Sequence, residues 1–185
     1  MLNPPTARIF VLLVILCTGY YQSRGCTCPT QVTVDASFDA STAVFTGKVL
    51  KVEYHGLAET LIPDSVAVAR SMPHESSKSF LDMPMVLKAT ILVTNEYKGV
   101  KKRDTIVVYT GIRGATCGFK FEKNKEYVVY GTTENYMFMF LRVDRKRFST
   151  FAKKGVYWTS ICARTTVAVG MEQGLISDYM KTRKP

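Results

Sequence analysis

The chain has 185 residues, of which 46% are hydrophobic, 22% charged and 11% aromatic. This composition is typical of one globular domain, and it excludes a charge-rich disordered chain, a polytopic membrane protein and two large domains. The formal net charge of +10 indicates a polyanionic or acidic partner without identifying it.

Residues 1–25 are predicted to be an export signal. Arg8 precedes an apolar run, 9–17, that is too short to cross a bilayer as a helix. Small residues stand at the −3 and −1 positions of a cut before Cys26. An uncleaved signal anchor is the alternative. Cleavage would leave residues 26–185, a secreted domain of roughly 160 residues with a net charge of about +8.

The cysteines of the mature chain predict disulfide bonds. Cleavage leaves Cys26, Cys28, Cys117 and Cys162, an even number that suits an oxidising compartment and predicts two disulfides with no unpaired thiol. Of the three connectivities, a bond between Cys26 and Cys28 is disfavoured because it closes a very small ring. A structural zinc site is the rival use of four cysteines, but the C-x-C spacing lacks the usual C-x2-C turn.

Runs of β-branched and aromatic residues, several with alternating polarity, predict a mainly β fold after the cysteines. Five predicted strands are separated by Gly, Pro and charged residues, and they cover residues 43–54, 86–97, 105–110, 127–132 and 136–143. Gly47 in the first strand predicts a bulge or a tight bend. Five strands of this kind predict a small barrel.

Two further segments flank or interrupt these strands. Residues 55–85 contain three prolines and no sustained strand pattern, so we expect a long loop with one or two helical turns over 64–70. Residues 169–181 predict a terminal helix packed on the barrel. Its expected core contacts have helical spacing: Met171, Leu175, Ile176 and Tyr179.

Several short motifs occur in an order that resembles a known family. They are Cys26-Thr27-Cys28, the strand 43–49, Tyr97-Lys98-Gly99, Ala115-Thr116-Cys117-Gly118, Glu126-Tyr127 and Thr159-Ser160-Ile161-Cys162. From Cys26 to about Lys181 the chain resembles the inhibitory amino-terminal domain of the tissue inhibitors of metalloproteinases, within the netrin-like group. The resemblance implies a five-stranded OB-type barrel with flanking helices, including a C-terminal one.

The resemblance also implies disulfides Cys26–Cys117 and Cys28–Cys162, which would form an exposed inhibitory ridge. Its members would be Cys26, Thr27, Cys28, Pro29, Ala115, Thr116, Cys117 and Gly118. The α-amine and carbonyl of Cys26 would chelate the catalytic zinc of a matrix-type metalloproteinase, because an α-amine with a pKa of about 7.7 to 8 can deprotonate near neutral pH.

Thr27 would enter the specificity pocket of that protease; the alternative is a spacer between two bridged cysteines. The zinc belongs to the target, so we expect no cofactor of the protein's own. We expect a monomer.

One family feature is missing. The third cysteine of the amino-terminal half falls at Phe38 by ungapped counting, and no cysteine follows Cys162 to pair with it. We therefore expect that one disulfide is lost as a unit and that Phe38 fills its space by burial.

Other functions have weaker signals. Both histidines, His55 and His74, fall within 55–85 and no catalytic motif is present, so we expect no enzyme. The main alternative is a secreted netrin-like module that binds glycosaminoglycan or another extracellular partner without protease inhibition. Its candidate polyanion patch consists of Lys101, Lys102, Arg103, Arg145, Lys146 and Arg147. The alternative is that these basic residues lie in turns and only keep the protein soluble. Export disfavours nucleic acid as a partner, and signal cleavage would leave no membrane span.

Overall fold

The computed structural model of the chain describes residues 26, 28, 32–71, 75–112, 116–137 and 156–183. These residues form mainly sheet, in the strand order β4-β1-β2-β3-β5. The strands are β1 Ala43–His55, β2 Val86–Lys98, β3 Thr105–Gly111, β4 Glu126–Gly131 and β5 Val156–Trp158. The helices are α1 Val34–Ala40, α2 Pro63–Arg70, α3 Glu75–Asp82 and α4 Val169–Thr182, with a 3-10 turn at Leu57–Thr60.

Strands β1 to β4 lie where the sequence predicts them, and the pairings among these four strands are antiparallel. The predicted bulge at Gly47 is confirmed by a register shift between Thr46 and Gly47. A Cβ on Gly47 would lie 2.8 Å from the carbonyl oxygen of Leu92, so glycine lets the two strands approach at this bend.

The fifth strand is not the predicted one. Tyr136 and Met137, the first residues of the predicted strand 136–143, lie in a turn, and the rest of that strand falls outside the described residues. Instead, β5 pairs in parallel with β3. Three residues of strand are too few for a periodic pattern, and a parallel partner far along the chain leaves no local signal.

Among the described residues the sheet is open, and the residue that follows β4 meets β5 at one bridge rather than along a ladder. Thr132 and Trp158 exchange two backbone hydrogen bonds there, of 2.9 and 2.7 Å. The predicted mainly β fold with flanking helices, including a C-terminal helix, is confirmed. The open sheet does not establish the predicted closed OB-type barrel, which stays a prediction.

Both faces of the sheet carry buried apolar residues. On one face, α1 and α4 cover Val44, Val128 and Tyr130. The opposite face holds the largest cluster, which includes Phe45, Val129 and neighbours from β2 and β3. Because adjacent residues such as Val44 and Phe45 point to opposite faces, β1 joins the two layers.

The segment 55–85 is more ordered than the predicted long loop. Pro63 occupies the first turn of α2, where its missing N–H costs no hydrogen bond. The helices and the 3-10 turn bury Leu57, Leu61 and Leu81 against Trp158 at the end of the sheet. The loop prediction is therefore wrong for most of this segment, whereas the predicted helical turns over 64–70 are confirmed.

The C-terminal helix is confirmed, but part of its predicted core face is wrong. Ile176 is buried, whereas Met171 is 73% exposed and Leu175 is 42% exposed. The carboxylate residue Glu172 is buried instead, at 5% exposure. Its ionic partner Arg164, described below, is the reason that the helix turns this polar residue inward.

Candidate functional site

Two disulfide bonds attach the amino-terminal cysteines to two separate loops. Cys26 bonds to Cys117 and Cys28 bonds to Cys162, with Cα–Cα distances of 5.4 and 5.2 Å. The prediction of two disulfides is confirmed, and their pairing is the one that the family resemblance implies. The bonds span 91 and 134 residues of sequence, so this short segment is fixed at two distant points of the chain.

The loop that carries Cys117 packs tightly against the end of β3. Cys117 has a φ of 54°, in the left-handed region that few residues other than glycine adopt. A Cβ on Gly118 would lie 1.6 Å from the carbonyl oxygen of Gly111, so only glycine permits this approach. Thr116 is buried and its hydroxyl donates to the carbonyl of Ile112. The backbone around Cys117 is therefore held in one conformation.

The Cys117 loop contacts the loop that follows β5. The backbone N–H of Ile161 donates to the carbonyl of Cys117 at 3.0 Å. Buried Thr165 holds the second loop from the other side, because its hydroxyl lies 2.7 Å from that of Thr159 and accepts from the backbone N–H of Tyr130 at 3.1 Å. The attachment points of both disulfides are thus joined to each other and to β4.

A partly buried ion pair involves Arg164 of this second loop, and the sequence analysis missed it. Arg164 meets Glu172 of α4 in two contacts, Nε to Oε1 at 2.6 Å and Nη2 to Oε2 at 3.0 Å. The remaining Nη1 of Arg164 donates to the carbonyl of Val32 at 3.0 Å. Tyr130 donates its hydroxyl to Glu172 Oε1 at 2.6 Å. The only sequence signal was an acidic residue at helical spacing from Ile176.

Two groups that donate hydrogen bonds to Glu172 have raised pKa values. Burial and then the hydrogen bond to the Glu172 carboxylate raise the pKa of the Tyr130 phenol, which keeps this hydroxyl a donor. The hydrogen bond to the same carboxylate raises the pKa of Arg164 further above its ordinary value. Each of the described polar contacts of the pair joins a donor to an acceptor.

Several residues predicted for the site fall outside the described residues. They are Thr27, Pro29 and Ala115 of the ridge, and Arg145, Lys146 and Arg147 of the polyanion patch. The other three patch residues, Lys101, Lys102 and Arg103, are exposed in the turn between β2 and β3. In the ranges given above, no carboxylate lies within ion-pair distance of their side chains. The described residues bring together Cys26, Cys28, Thr116, Cys117 and Gly118. The exposed basic turn also holds two carboxylates, because Asp104 and Glu96 accept from the backbone N–H groups of Lys101 and Lys102.

Within the described ranges, no three His, Cys, Asp or Glu side chains are grouped so that they could hold a metal ion. No helix of that part of the chain has both the length and the apolar character that a membrane span requires. Comparison with known proteins adds no assignment, because no protein-family model matches the sequence and no curated protein matches it.

Proposed function

We propose that the protein is a secreted inhibitor of zinc metalloproteinases, related to the tissue inhibitors of metalloproteinases. In this proposal the export signal is removed, and Cys26 becomes the amino terminus of a single netrin-like domain. Its α-amine and carbonyl bind the catalytic zinc of a matrix-type protease, and Thr27 enters the specificity pocket.

The observation that carries the proposal is the double attachment of Cys26 and Cys28. The disulfides bond them to two loops that also hydrogen-bond to each other through Ile161 and Cys117. A terminus held at two points loses little conformational entropy when it enters a protease cleft. The order of the six family motifs along the sequence supports the same assignment.

The chemistry requires only groups that every amino terminus has. An amine nitrogen and the carbonyl oxygen of the same residue can close a five-membered chelate ring on zinc. The amine must be unprotonated, and its ordinary pKa of about 7.7 to 8 allows this near neutral pH. The chelate would displace the water that the protease activates for peptide hydrolysis. The protein itself would contribute no metal and catalyse no reaction.

The fold expected for this function is an OB-type barrel. The bridge between Thr132 and Trp158 supports closure, because it links the residue that follows edge strand β4 to edge strand β5. A buried Phe38, at 4% exposure, is consistent with the proposed replacement of one family disulfide by apolar packing.

The test is to place one alanine before Cys26 in the secreted protein, after its native start has been checked by amino-terminal sequencing. The added residue converts the α-amine into an amide, a poor zinc ligand, while both disulfides are retained. We expect inhibition of a matrix-type metalloproteinase to fall by at least about a hundredfold. Thr27→Gly keeps the amine, so inhibition should fall by a smaller factor, and that factor should depend on the protease.

The measurement is the inhibition constant, with the mass, the disulfide map and the melting temperature of each variant as controls. If the alanine-extended protein inhibits as strongly as the native form, zinc binding by Cys26 is wrong. The netrin-like binding module then becomes the better assignment. The exposed turn of Lys101, Lys102 and Arg103 favours a sulfated glycosaminoglycan as its ligand.

A further inference from the structure

Arg164 joins its own loop to helix α4 and to the amino-terminal segment, which is 132 residues away in sequence. Its guanidinium group contacts Glu172 of α4 on one side and the carbonyl of Val32 on the other. Val32 lies four residues after Cys28, and Arg164 lies two residues after Cys162, the disulfide partner of Cys28. The amino-terminal segment is therefore attached to the same loop at two places.

Two attachments constrain the segment more than one does. A disulfide fixes the position of Cys28, but the chain that leaves it can still swing about the bonds of the cystine. The bond of Cys26 to Cys117 limits that movement on one side of Cys28, and the contact at Val32 limits it on the other side, so the direction of the segment is set from both ends. Direction matters for a terminus that must meet a metal ion, because misplacement by about 1 Å can cost a large part of the interaction.

The Arg164 side chain is suited to this task by its geometry. Its guanidinium is planar and presents several N–H donors in a rigid fork, so it can bond a carboxylate bidentately and still donate to a carbonyl. Glu172 is held in turn by the Tyr130 hydroxyl, and its side chain is only 6% exposed. Lysine has a single nitrogen and cannot reproduce the three contacts in this arrangement.

We propose that Arg164, held by Glu172, is a positioning residue that sets the direction of the amino-terminal segment and so presents Cys26 to the zinc of the target. The role in presentation rests on the proposed inhibitory function. The restraint on the segment does not, because it follows from the contact with Val32 alone. The two parts can therefore be tested separately.

The first test compares Arg164→Lys with the double variant Arg164→Gln/Glu172→Gln. Arg164→Lys keeps a positive charge next to Glu172 but loses part of the set of contacts. The double variant removes both charges. Neither variant therefore leaves a buried carboxylate without an ionic partner. In the full-length secreted protein, amide hydrogen exchange of the peptide 26–36 should accelerate by about tenfold or more, while peptides of β1 stay unchanged. Lys181→Gln is the matched control, because Lys181 also belongs to an ion pair of α4 but is 75% exposed.

The second test measures inhibition of a matrix-type metalloproteinase by the same variants. We expect the inhibition constant to rise about tenfold or more in both Arg164 variants, with little change for Lys181→Gln. Unchanged exchange of the peptide 26–36 in both variants would overturn the proposal. It would also be overturned if exchange accelerates but inhibition is unchanged. If the native protein does not inhibit, the proposed function fails, and accelerated exchange still supports the restraint by Arg164.

Discussion

Tyr130 is a buried phenol whose ionisation should control stability at alkaline pH. Burial, followed by the bond to the Glu172 carboxylate, raises its pKa in the folded protein, whereas an unfolded tyrosine ionises at about pH 10. Below that pH both states keep the proton and the stabilisation is complete. Above it, the unfolded chain releases a proton that the folded protein retains, so the free energy of unfolding falls as the pH rises.

The free energy of unfolding should fall above pH 10 by up to about 1.4 kcal/mol per pH unit because of Tyr130 alone. Tyr130→Phe should make the decline shallower, and it should cost about 1 to 2 kcal/mol at neutral pH because Glu172 loses a hydrogen bond. The slope should not vanish, since burial also raises the pKa of Tyr109, Tyr127 and Tyr136. Urea unfolding at a series of pH values from 8 to 11 measures the slope. An unchanged slope in Tyr130→Phe would contradict the argument, and the 63% exposed Tyr54 supplies the control Tyr54→Phe.

At the scale of elements, side-chain contacts hold α1 against α4. The rings of Phe38 and Tyr179 meet edge to face at 5.4 Å, and Lys98 Nζ lies 5.4 Å from the centre of the Phe38 ring. The Tyr179 hydroxyl donates to Asp39 at 3.0 Å, and Arg183 pairs with the same carboxylate at 2.9 Å. Most of the polar atoms in this contact are exposed, so the buried ring should dominate the energy.

Phe38→Ala should therefore lower the free energy of unfolding by about 3 to 5 kcal/mol, because it leaves a cavity beneath α1. Tyr179→Phe keeps the aromatic contact and loses only the hydroxyl bond to Asp39, so it should cost about 1 kcal/mol or less. Urea unfolding of the two variants side by side makes the comparison. If both substitutions cost the same, the Phe38 ring does not dominate the contact, and the hydrogen bond from Tyr179 to Asp39 matters as much.

Elements with a local signal could be predicted from the sequence, and elements defined by distant partners could not. Strands β1 to β4 and helix α4 carry their own periodicity, and Gly47 marks its bulge. By contrast, β5 exists only because three residues pair with β3. The exposed Met171 and the buried Glu172 break the apolar pattern of α4, because an arginine eight residues earlier in the chain supplies the partner. The described ridge residues came from the family resemblance, whereas the contact of Arg164 with Val32 had no sequence signal.

At the scale of the whole molecule, the buried clusters share strands rather than standing apart. β1 contributes Val44 to the layer beneath α1 and α4, and Phe45 to the opposite layer. Trp158 lies in β5 and packs with the helices of segment 55–85. Because the sequence has one tryptophan, its fluorescence reports on that end of the sheet, while far-UV circular dichroism reports on the whole. Shared strands favour a single cooperative transition in both signals.

The two disulfides should stabilise this cooperative unit equally, although they span 91 and 134 residues. Cys26 and Cys28 are two residues apart in sequence. Once either disulfide exists, formation of the other therefore closes the same loop, which consists of residues 117–162 and the short link 26–28. That loop has roughly 47 residues, and closing it contributes about 4 kcal/mol in the chain-entropy model. Replacing either bonded pair by serines should lower the free energy of unfolding by this amount, as measured by urea unfolding with both probes. A difference of more than about 1 kcal/mol between the two double variants would contradict the model, and would mean that native contacts around one cystine, rather than the unfolded chain, account for its effect.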